Sequence, residues 1–180
     1  MNIGHNSCSL WGFSHLNLNS YQVFLDIGCG GGKNIKNLLE IVPSSKIYGI
    51  DYSAFSVEKS KILNKKAVKV GQVEIKEANV EALPFEQDYF ECVTAFETIY
   101  FWKNILNSFQ EVYRVLKKGG SFMICNEMQR IQGNEMWEKM LEMEIYTGNQ
   151  IENLMQQAGF KDIHIDRHKN KKWLCVIGKK

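Results

Sequence analysis

The sequence predicts an α/β fold: a single doubly wound, mostly parallel seven-stranded sheet with an antiparallel C-terminal strand. Two observations support this fold class. Short apolar runs alternate with segments of helical periodicity, and strands connected by helices pair in parallel through right-handed crossovers. The last two apolar runs, 163–168 and 173–177, are separated only by residues 169–172, which is enough for a hairpin and too short for a parallel crossover.

The first unit, residues 22–43, is predicted to be a strand, a tight turn and a helix. Residues 22–27 form a short apolar run bounded by polar and glycine-rich sequence, as in a buried strand. Four glycines follow within positions 28–32. Apolar residues then repeat at helical spacing from Lys33 until Pro43 closes the segment.

The second unit begins with a strand over 46–50 that ends at Asp51. Ser53 is placed to cap a helix over 54–66. The other predicted strands cover residues 72–77, 90–96, 121–125, 163–168 and 173–177.

Two more helices complete the predicted fold. The first is capped by Asn104, carries one apolar stripe to Leu116, and is predicted to end at 117–120 with cations and a glycine cap. The second covers the apolar positions of 151–158 and ends at Gly159.

The composition indicates one folded domain. The chain has 180 residues, of which 44% are hydrophobic and 23% charged, so it can bury a sizeable core. We expect residues 1–20 to form an N-terminal cap segment and residues 21–180 to form the single domain. The five cysteines contain no C-x-x-C pair, and neither a disulfide framework nor a metal site is expected.

The charge balance argues against a protein that mainly neutralises nucleic-acid phosphates, because the net charge is only +2. Lysine pairs such as 65–66 are interpreted as solvated helix ends and turns. No apolar run reaches the length of a membrane span, and residues 1–10 lack the order of a signal peptide. We therefore expect a cytoplasmic monomer or homodimer that binds neither nucleic acid nor a membrane.

The glycine-rich turn is predicted to hold a ligand, because ligands of open parallel sheets bind beyond the carboxyl ends of the strands. A dinucleotide fingerprint starting at Gly28 would require a third glycine at position 33, which is Lys33. A P-loop fails as well, since Asn34 stands where serine or threonine is needed. What is present is acid-x-Gly-x-Gly-x-Gly over 26–32, with Asp26 at the end of the strand.

This pattern resembles motif I of the class I S-adenosylmethionine-dependent methyltransferases. Residues 48–51 look like the second-strand motif of that family, and 78–85, 90–96 and 111–120 are similar to its small-molecule, type 11-like branch. The resemblance covers roughly residues 20–180 and implies a Rossmann-like methyltransferase fold with S-adenosylmethionine as the cofactor. It also implies methyl transfer to a small-molecule acceptor by direct in-line displacement.

The resemblance assigns cofactor roles to residues at the strand ends. Asp26 is expected to attract the cofactor's ammonium, backbone N–H groups of the glycine turn to face its carboxylate, and Asp51 to accept the ribose hydroxyls. Asn79 replaces an aspartate common in relatives and can still accept a hydrogen bond from adenine. The full predicted cofactor set is Asp26, Gly28, Cys29, Gly30, Gly32, Asp51, Tyr52, Asn79, Val80 and Phe96.

On the acceptor side, Glu97 is the first candidate for a base or hydrogen-bond acceptor, and His5 is a second catalytic candidate. The predicted substrate pocket consists of Trp11, His15, Tyr100 and Trp102. Residues 126–146 are expected either to build the acceptor pocket or to form an amphipathic helix that packs methionines on the core.

Two alternative functions remain open on sequence grounds. The chain could bind S-adenosylmethionine without transferring its methyl group, as a sensor or sequestering module. A nicotinamide-dependent oxidoreductase is the third possibility, and both Lys33 and the terminal hairpin weaken it.

Overall fold

The computed structural model describes residues 5–127, 143–169 and 172–180, with the His5 side chain excepted. Seven strands form one sheet in the order β3-β2-β1-β4-β5-β7-β6. They are β1 Val23–Ile27, β2 Lys46–Asp51, β3 Val73–Glu77, β4 Phe90–Phe96, β5 Leu116–Asn126, β6 Lys161–Arg167 and β7 Leu174–Lys179. The predicted fold class is confirmed: β1 to β5 pair in parallel, and β7 runs antiparallel to both β5 and β6.

The helices cover both faces of the sheet. They are α1 His5–Phe13, α2 Lys33–Ile41, α3 Ala54–Leu63, α4 Lys65–Lys69, α5 Ile105–Val115 and α6 Gly148–Ala158. Alternation along each strand divides the core, so that Leu25 and Ile27 pack with α5 and α6 while Phe24 packs with α1 to α4. Within the described residues, no helix is both long and apolar enough to cross a bilayer.

Capping residues set several helix boundaries. The Asn104 side chain accepts a hydrogen bond from Asn107 N–H at the start of α5, as predicted, and Thr147 and Gln150 form a capping box at α6. Gly159 ends α6 with φ of 106°. Ser53 caps α3 as predicted, but α3 ends at Leu63 and a separate short helix follows.

The predicted end of α5 is wrong. Leu116 leaves the helix in an extended conformation and pairs with Phe90, so 117–120 belong to β5. Gly119 has φ of 77° inside the strand, where the register between β4 and β5 shifts. Lysines followed by glycines suit a helix end locally, but here the residues on either side pair with β4, Gly119 donates its N–H to Lys180 O, and Gly120 O accepts from Lys180 N–H.

Candidate functional site

The glycine turn between β1 and α2 has a backbone that only glycine adopts readily. Gly30 and Gly32 have φ of 51° and 81°. A Cβ on Gly32 would also lie 2.3 Å from Ser60 Oγ, so the turn packs directly against α3. Cys29 donates its N–H to Ile50 O and accepts from Gly32 N–H, which closes the turn.

Asp51, at the end of β2, ties this turn to the neighbouring strand. One carboxylate oxygen accepts from Gly30 N–H and the other from Ser53 N–H, both at 2.9 Å. A carboxylate offers about four lone-pair positions, so each oxygen keeps capacity for a further donor. Asp51 is 8% exposed and borders an open cleft.

The cleft has a volume of about 610 Å³ and lies at the carboxyl ends of β1 and β2. Its size is in the usual range of small-molecule sites. It is lined by Ile27, Gly28, Ile50, Asp51, Tyr52, Ala78, Asn79, Val80, Glu81, Thr98, Phe101, Trp102 and Lys103. The sheet order reverses between β1 and β4, which is where open α/β sheets bind ligands.

Asn79 has a structural role in the cleft wall. Its side-chain oxygen accepts from Glu81 N–H at 3.0 Å and caps the 3-10 turn Val80–Ala82. The second lone pair of that oxygen and the amide N–H groups are what Asn79 can offer a ligand.

Asp26 is a buried acid with one unsatisfied oxygen. The Thr94 hydroxyl donates to Oδ1 at 2.8 Å, whereas Oδ2 has no hydrogen-bond partner in the part of the chain that the structure describes. Burial raises the pKa of Asp26 to about 7; the Thr94 hydrogen bond opposes this rise, and the charge of Asp51 adds to it. A cation at Oδ2 would satisfy this oxygen and stabilise its charge.

Glu97 connects the ends of β4 and β5. It has φ of 56°, its Oε1 accepts from Glu127 N–H, and its Oε2 accepts from the Tyr100 hydroxyl at 3.3 Å. Burial raises the pKa of Glu97 to about 8, with a smaller contribution from the charge of Glu127, while the two hydrogen bonds lower it. The carboxyl group is therefore mostly protonated at neutral pH.

The structure brings part of the predicted set together around the cleft: Gly28, Asp51, Tyr52, Asn79, Val80 and Trp102. Cys29 is elsewhere, because its buried thiol faces Ser60. Phe96 packs against Phe13 with ring centroids 4.8 Å apart. Tyr100 is buried in a small cluster with Met143 and Ile145, outside the cleft lining.

The predicted pocket residues Trp11 and His15 lie over the terminal hairpin, not at the cleft. The Trp11 ring contacts His168 and Trp173, and His15 Nε2 lies 2.9 Å from Asp166 Oδ2. Trp11, in α1, and His15, just after it, lie against the hairpin of β6 and β7. Spacing along the sequence could not show this contact. The His5 side chain and residues 128–142, which include most of the proposed acceptor stretch, lie outside the described residues.

The set of site residues predicted from sequence lacks several residues that line the cleft, chiefly Glu81, Thr98, Phe101 and Lys103. The available signal was their position just beyond strand ends. Thr98 also packs under the glycine turn, since a Cβ on Gly28 would lie 2.2 Å from its hydroxyl oxygen.

Comparison with known proteins adds independent evidence. A family model described as "Methyltransferase domain" matches residues 25–124 of the chain. The chain belongs to this methyltransferase family. The membership confirms the predicted class I S-adenosylmethionine-dependent type, and S-adenosylmethionine is the cofactor.

Individual relatives of this methyltransferase domain share about a quarter to a third of their aligned residues with it. The demethylmenaquinone methyltransferase of Lactococcus lactis subsp. lactis (strain IL1403) is 36% identical over 104 residues, which are 57% of this chain and 40% of that protein. YdaC of Bacillus subtilis (strain 168), described as an uncharacterized methyltransferase, is 25% identical over 172 residues, which are 94% of this chain and 90% of YdaC. The chain spans 37% to 58% of the length of the demethylmenaquinone enzyme and two further curated methyltransferases.

A solved structure shares the fold of the methyltransferase domain. Haemonchus contortus phosphoethanolamine N-methyltransferase 2, in complex with phosphomonomethylethanolamine and S-adenosylhomocysteine, superposes with a TM-score of 0.83 at 17% identity. The match covers 97% of this chain and 52% of that one.

The residues present fit the cofactor chemically. S-adenosylmethionine carries an ammonium, a carboxylate, a ribose diol and an adenine ring. The unsatisfied Asp26 oxygen suits a cation, and the space beside Gly30, where a Cβ would meet no atom within 4 Å, admits a ligand close to the backbone. Asp51 and Asn79 supply acceptors along the cleft.

Proposed function

We propose that the protein transfers a methyl group from S-adenosylmethionine to a small-molecule acceptor by direct in-line displacement. The observation that carries this proposal is the buried Asp26 oxygen, which has no hydrogen-bond partner among the described residues, in a strand that ends at an open cleft bordered by Asp51. The name of the Lactococcus relative supports a small organic acceptor. When bound, the cofactor supplies a methyl group already activated by a sulfonium charge.

The proposed roles of the chain's own residues follow from their chemistry. Asp26 attracts the ammonium group, and the N–H groups of the glycine turn face the carboxylate. Asp51 accepts hydrogen bonds from the ribose hydroxyls while its bonds to Gly30 and Ser53 hold it in place. Asn79 accepts from the adenine amino group through the lone pair that its capping bond leaves.

The acceptor side of the proposed site lies along the segment after β4. Phe101, 51% exposed, and Trp102 give this side of the cleft an aromatic wall. Holding the acceptor in line with the bond that breaks can lower the activation barrier by several kcal/mol, up to roughly 7 to 11, without a base. Where the acceptor must lose a proton, Glu97 is the proposed base, and His5 remains the second candidate.

The N-terminal segment is proposed to act as a cap. Helix α1 approaches β5 closely, since a Cβ on Gly12 would lie 2.8 Å from Cys125 Sγ. Its last residue, Phe13, packs on Phe96 at the end of β4. The described part of the proposed cap, residues 5–20, would thus cover an edge of the cofactor-binding domain, residues 21–180.

Calorimetric titration tests the cofactor assignment. We expect micromolar binding of S-adenosylmethionine and S-adenosylhomocysteine, and at least about tenfold weaker binding by Asp51→Ala, because two backbone donors and a ribose diol lose their acceptor. The control is Glu86→Ala, which removes one exposed carboxylate outside the cleft lining and should leave affinity unchanged. Tight NAD binding without S-adenosylhomocysteine binding would contradict the assignment.

A binding module without transfer is the second candidate function. It is favoured by Glu97, whose two oxygens already accept hydrogen bonds and whose raised pKa keeps it protonated at neutral pH. An assay for S-adenosylhomocysteine release across pools of amines, phenols, thiols and carboxylates separates the two. Release with any pool supports transfer; tight cofactor binding without release from any pool supports the binding module.

A further inference from the structure

Helix α3 buries polar side chains and exposes apolar ones. Its inward positions include the polar residues Ser60 and, at its C-cap, Asn64, which are 0% and 4% exposed. The Asn64 side chain donates to Gly32 O and thereby supports the glycine turn. The outward positions Phe55 and Ile62, seven residues apart, are 69% and 68% exposed. The helix therefore presents apolar side chains to solvent at helical spacing.

We call the exposed side chains of residues 52–70 the α3–α4 face. Its apolar members are Tyr52, Phe55, Ile62, Leu63 and Val70, all of them exposed. An apolar cluster of this kind on a surface marks an interaction site more often than a single exposed residue does. The core of the protein does not account for it, because the same helices pack inward through other residues, such as Val57.

The α3–α4 face is also strongly basic. Residues 54–70 contain five lysines, Lys59, Lys61, Lys65, Lys66 and Lys69, against a single acid, Glu58. Glu58 pairs with Lys61, and Lys59 Nζ lies 4.3 Å from the centroid of the Phe55 ring. Five lysines and one glutamate give this short segment a net charge of +4, which exceeds the net charge of +2 of the whole chain.

We propose that the α3–α4 face docks on the surface of an anionic lipid bilayer. Apolar side chains that enter the bilayer interface and lysines that attract anionic lipids together favour binding to a membrane surface. Lysine is depleted at protein–protein interfaces, so a protein partner matches this composition less well. Lysine stems can bury their methylenes in the interface while their ammonium groups reach lipid phosphates. Such contact needs no spanning helix, and it departs from the expectation from sequence that the protein binds no membrane.

Docking in this way has a consequence for the cleft. Tyr52 belongs to the α3–α4 face and also lines the cleft, directly before α3 begins. A bilayer held against α3 would lie beside the cleft mouth. The docking itself does not depend on methyl transfer, so vesicle binding can be tested without an acceptor.

Co-sedimentation with lipid vesicles tests the proposal. The full chain should sediment with vesicles of phosphatidylcholine mixed with phosphatidylglycerol, should not do so with phosphatidylcholine alone, and should be released at high salt. The double variant Lys59→Glu, Lys66→Glu should bind at least about tenfold more weakly. The matched control Lys118→Glu, Lys161→Glu makes the same charge change at exposed lysines outside the face and should bind like the wild type.

A second variant separates apolar insertion from charge attraction alone. Phe55→Ser with Ile62→Ser should also weaken vesicle binding about tenfold, with an unchanged near-ultraviolet circular dichroism spectrum, because both side chains are exposed. The proposal is overturned by equal binding to both vesicle types, by no binding, or by an equal loss in the control. A dimer of the wild type that the serine variant dissociates in sedimentation velocity would also overturn the proposal. So would RNA that binds the wild type more tightly than vesicles do, together with normal vesicle binding by the serine variant.

Discussion

Replacing Asp26 with asparagine should stabilise the cofactor-free protein at pH 8 and weaken cofactor binding. Asp26 is 1% exposed, and its Oδ2 has no hydrogen-bond partner in the described part of the chain. Burial raises its pKa from 3.8 to about 7, so folding disfavours the ionised form. Between these two pKa values the unfolded chain binds fewer protons than the folded one, and stability falls as pH rises.

The magnitude follows from the two pKa values of Asp26. Ionisation costs the folded state about 4 kcal/mol at pH 8 but only about 2 kcal/mol at pH 5. Asparagine removes this cost. Its buried amide, in the place of Oδ2, adds a penalty of about 1 to 3 kcal/mol that is the same at both pH values. The change in unfolding free energy caused by Asp26→Asn should therefore be about 2 kcal/mol more favourable at pH 8 than at pH 5.

Urea denaturation of both proteins at pH 5 and pH 8, without cofactor, measures this difference. The control is Asp162→Asn, an exposed aspartate whose backbone has positive φ, a conformation that asparagine also tolerates. If the Asp26→Asn difference is the same at both pH values, folding does not raise the pKa of Asp26 and the reasoning fails. Calorimetry at pH 8 should show weaker S-adenosylhomocysteine binding by Asp26→Asn, since the ammonium loses its counter-charge.

Three further outcomes are expected. Gly32→Ala should lower the free energy of unfolding, measured by urea denaturation, by at least about 2 kcal/mol, because its Cβ would meet Ser60. Gly71→Ala is the control: its φ is similar and the space around it is open, so it should lower this free energy by only about 1 kcal/mol. All five cysteines are buried, so a thiol-specific disulfide reagent should react only after denaturation; prompt reaction of the native protein would contradict the packing. If Glu97 is the base, the rate of methyl transfer should rise through about pH 8, and Glu97→Gln should abolish that rise; an unchanged pH profile would exclude Glu97.

Local pattern was sufficient for most of the fold. The predicted strand over 90–96 matches β4, and the hairpin follows from a gap too short for a crossover. The helix end at Leu116 could not be predicted, since the pairing of Leu116 with Phe90 joins segments distant in sequence. A lysine-glycine sequence satisfies a helix terminus and an irregular strand equally well, and only tertiary pairing chooses between them.

The site shows the same division at the level of side chains. The acids at strand ends and the spacing of the glycine turn are local features, so sequence alone identified Asp26 and Asp51 as candidates. Sequence could not show that Cys29 faces the core, because its orientation depends on the packing of the turn against α3. Nor could it show that His15 meets Asp166, 151 residues away.

The sequence by itself therefore determined most strands and helices and the position of the glycine turn, because each follows from local spacing along the chain, and its motifs resemble those of the methyltransferase family. Only the tertiary structure decided which side chains meet. In the described structure, one buried oxygen of Asp26 has no hydrogen-bond partner, and both oxygens of Glu97 accept hydrogen bonds. Phe55 and Ile62 of α3 are exposed to solvent. Burial and hydrogen bonding between distant segments set these properties, and no local periodicity encodes them.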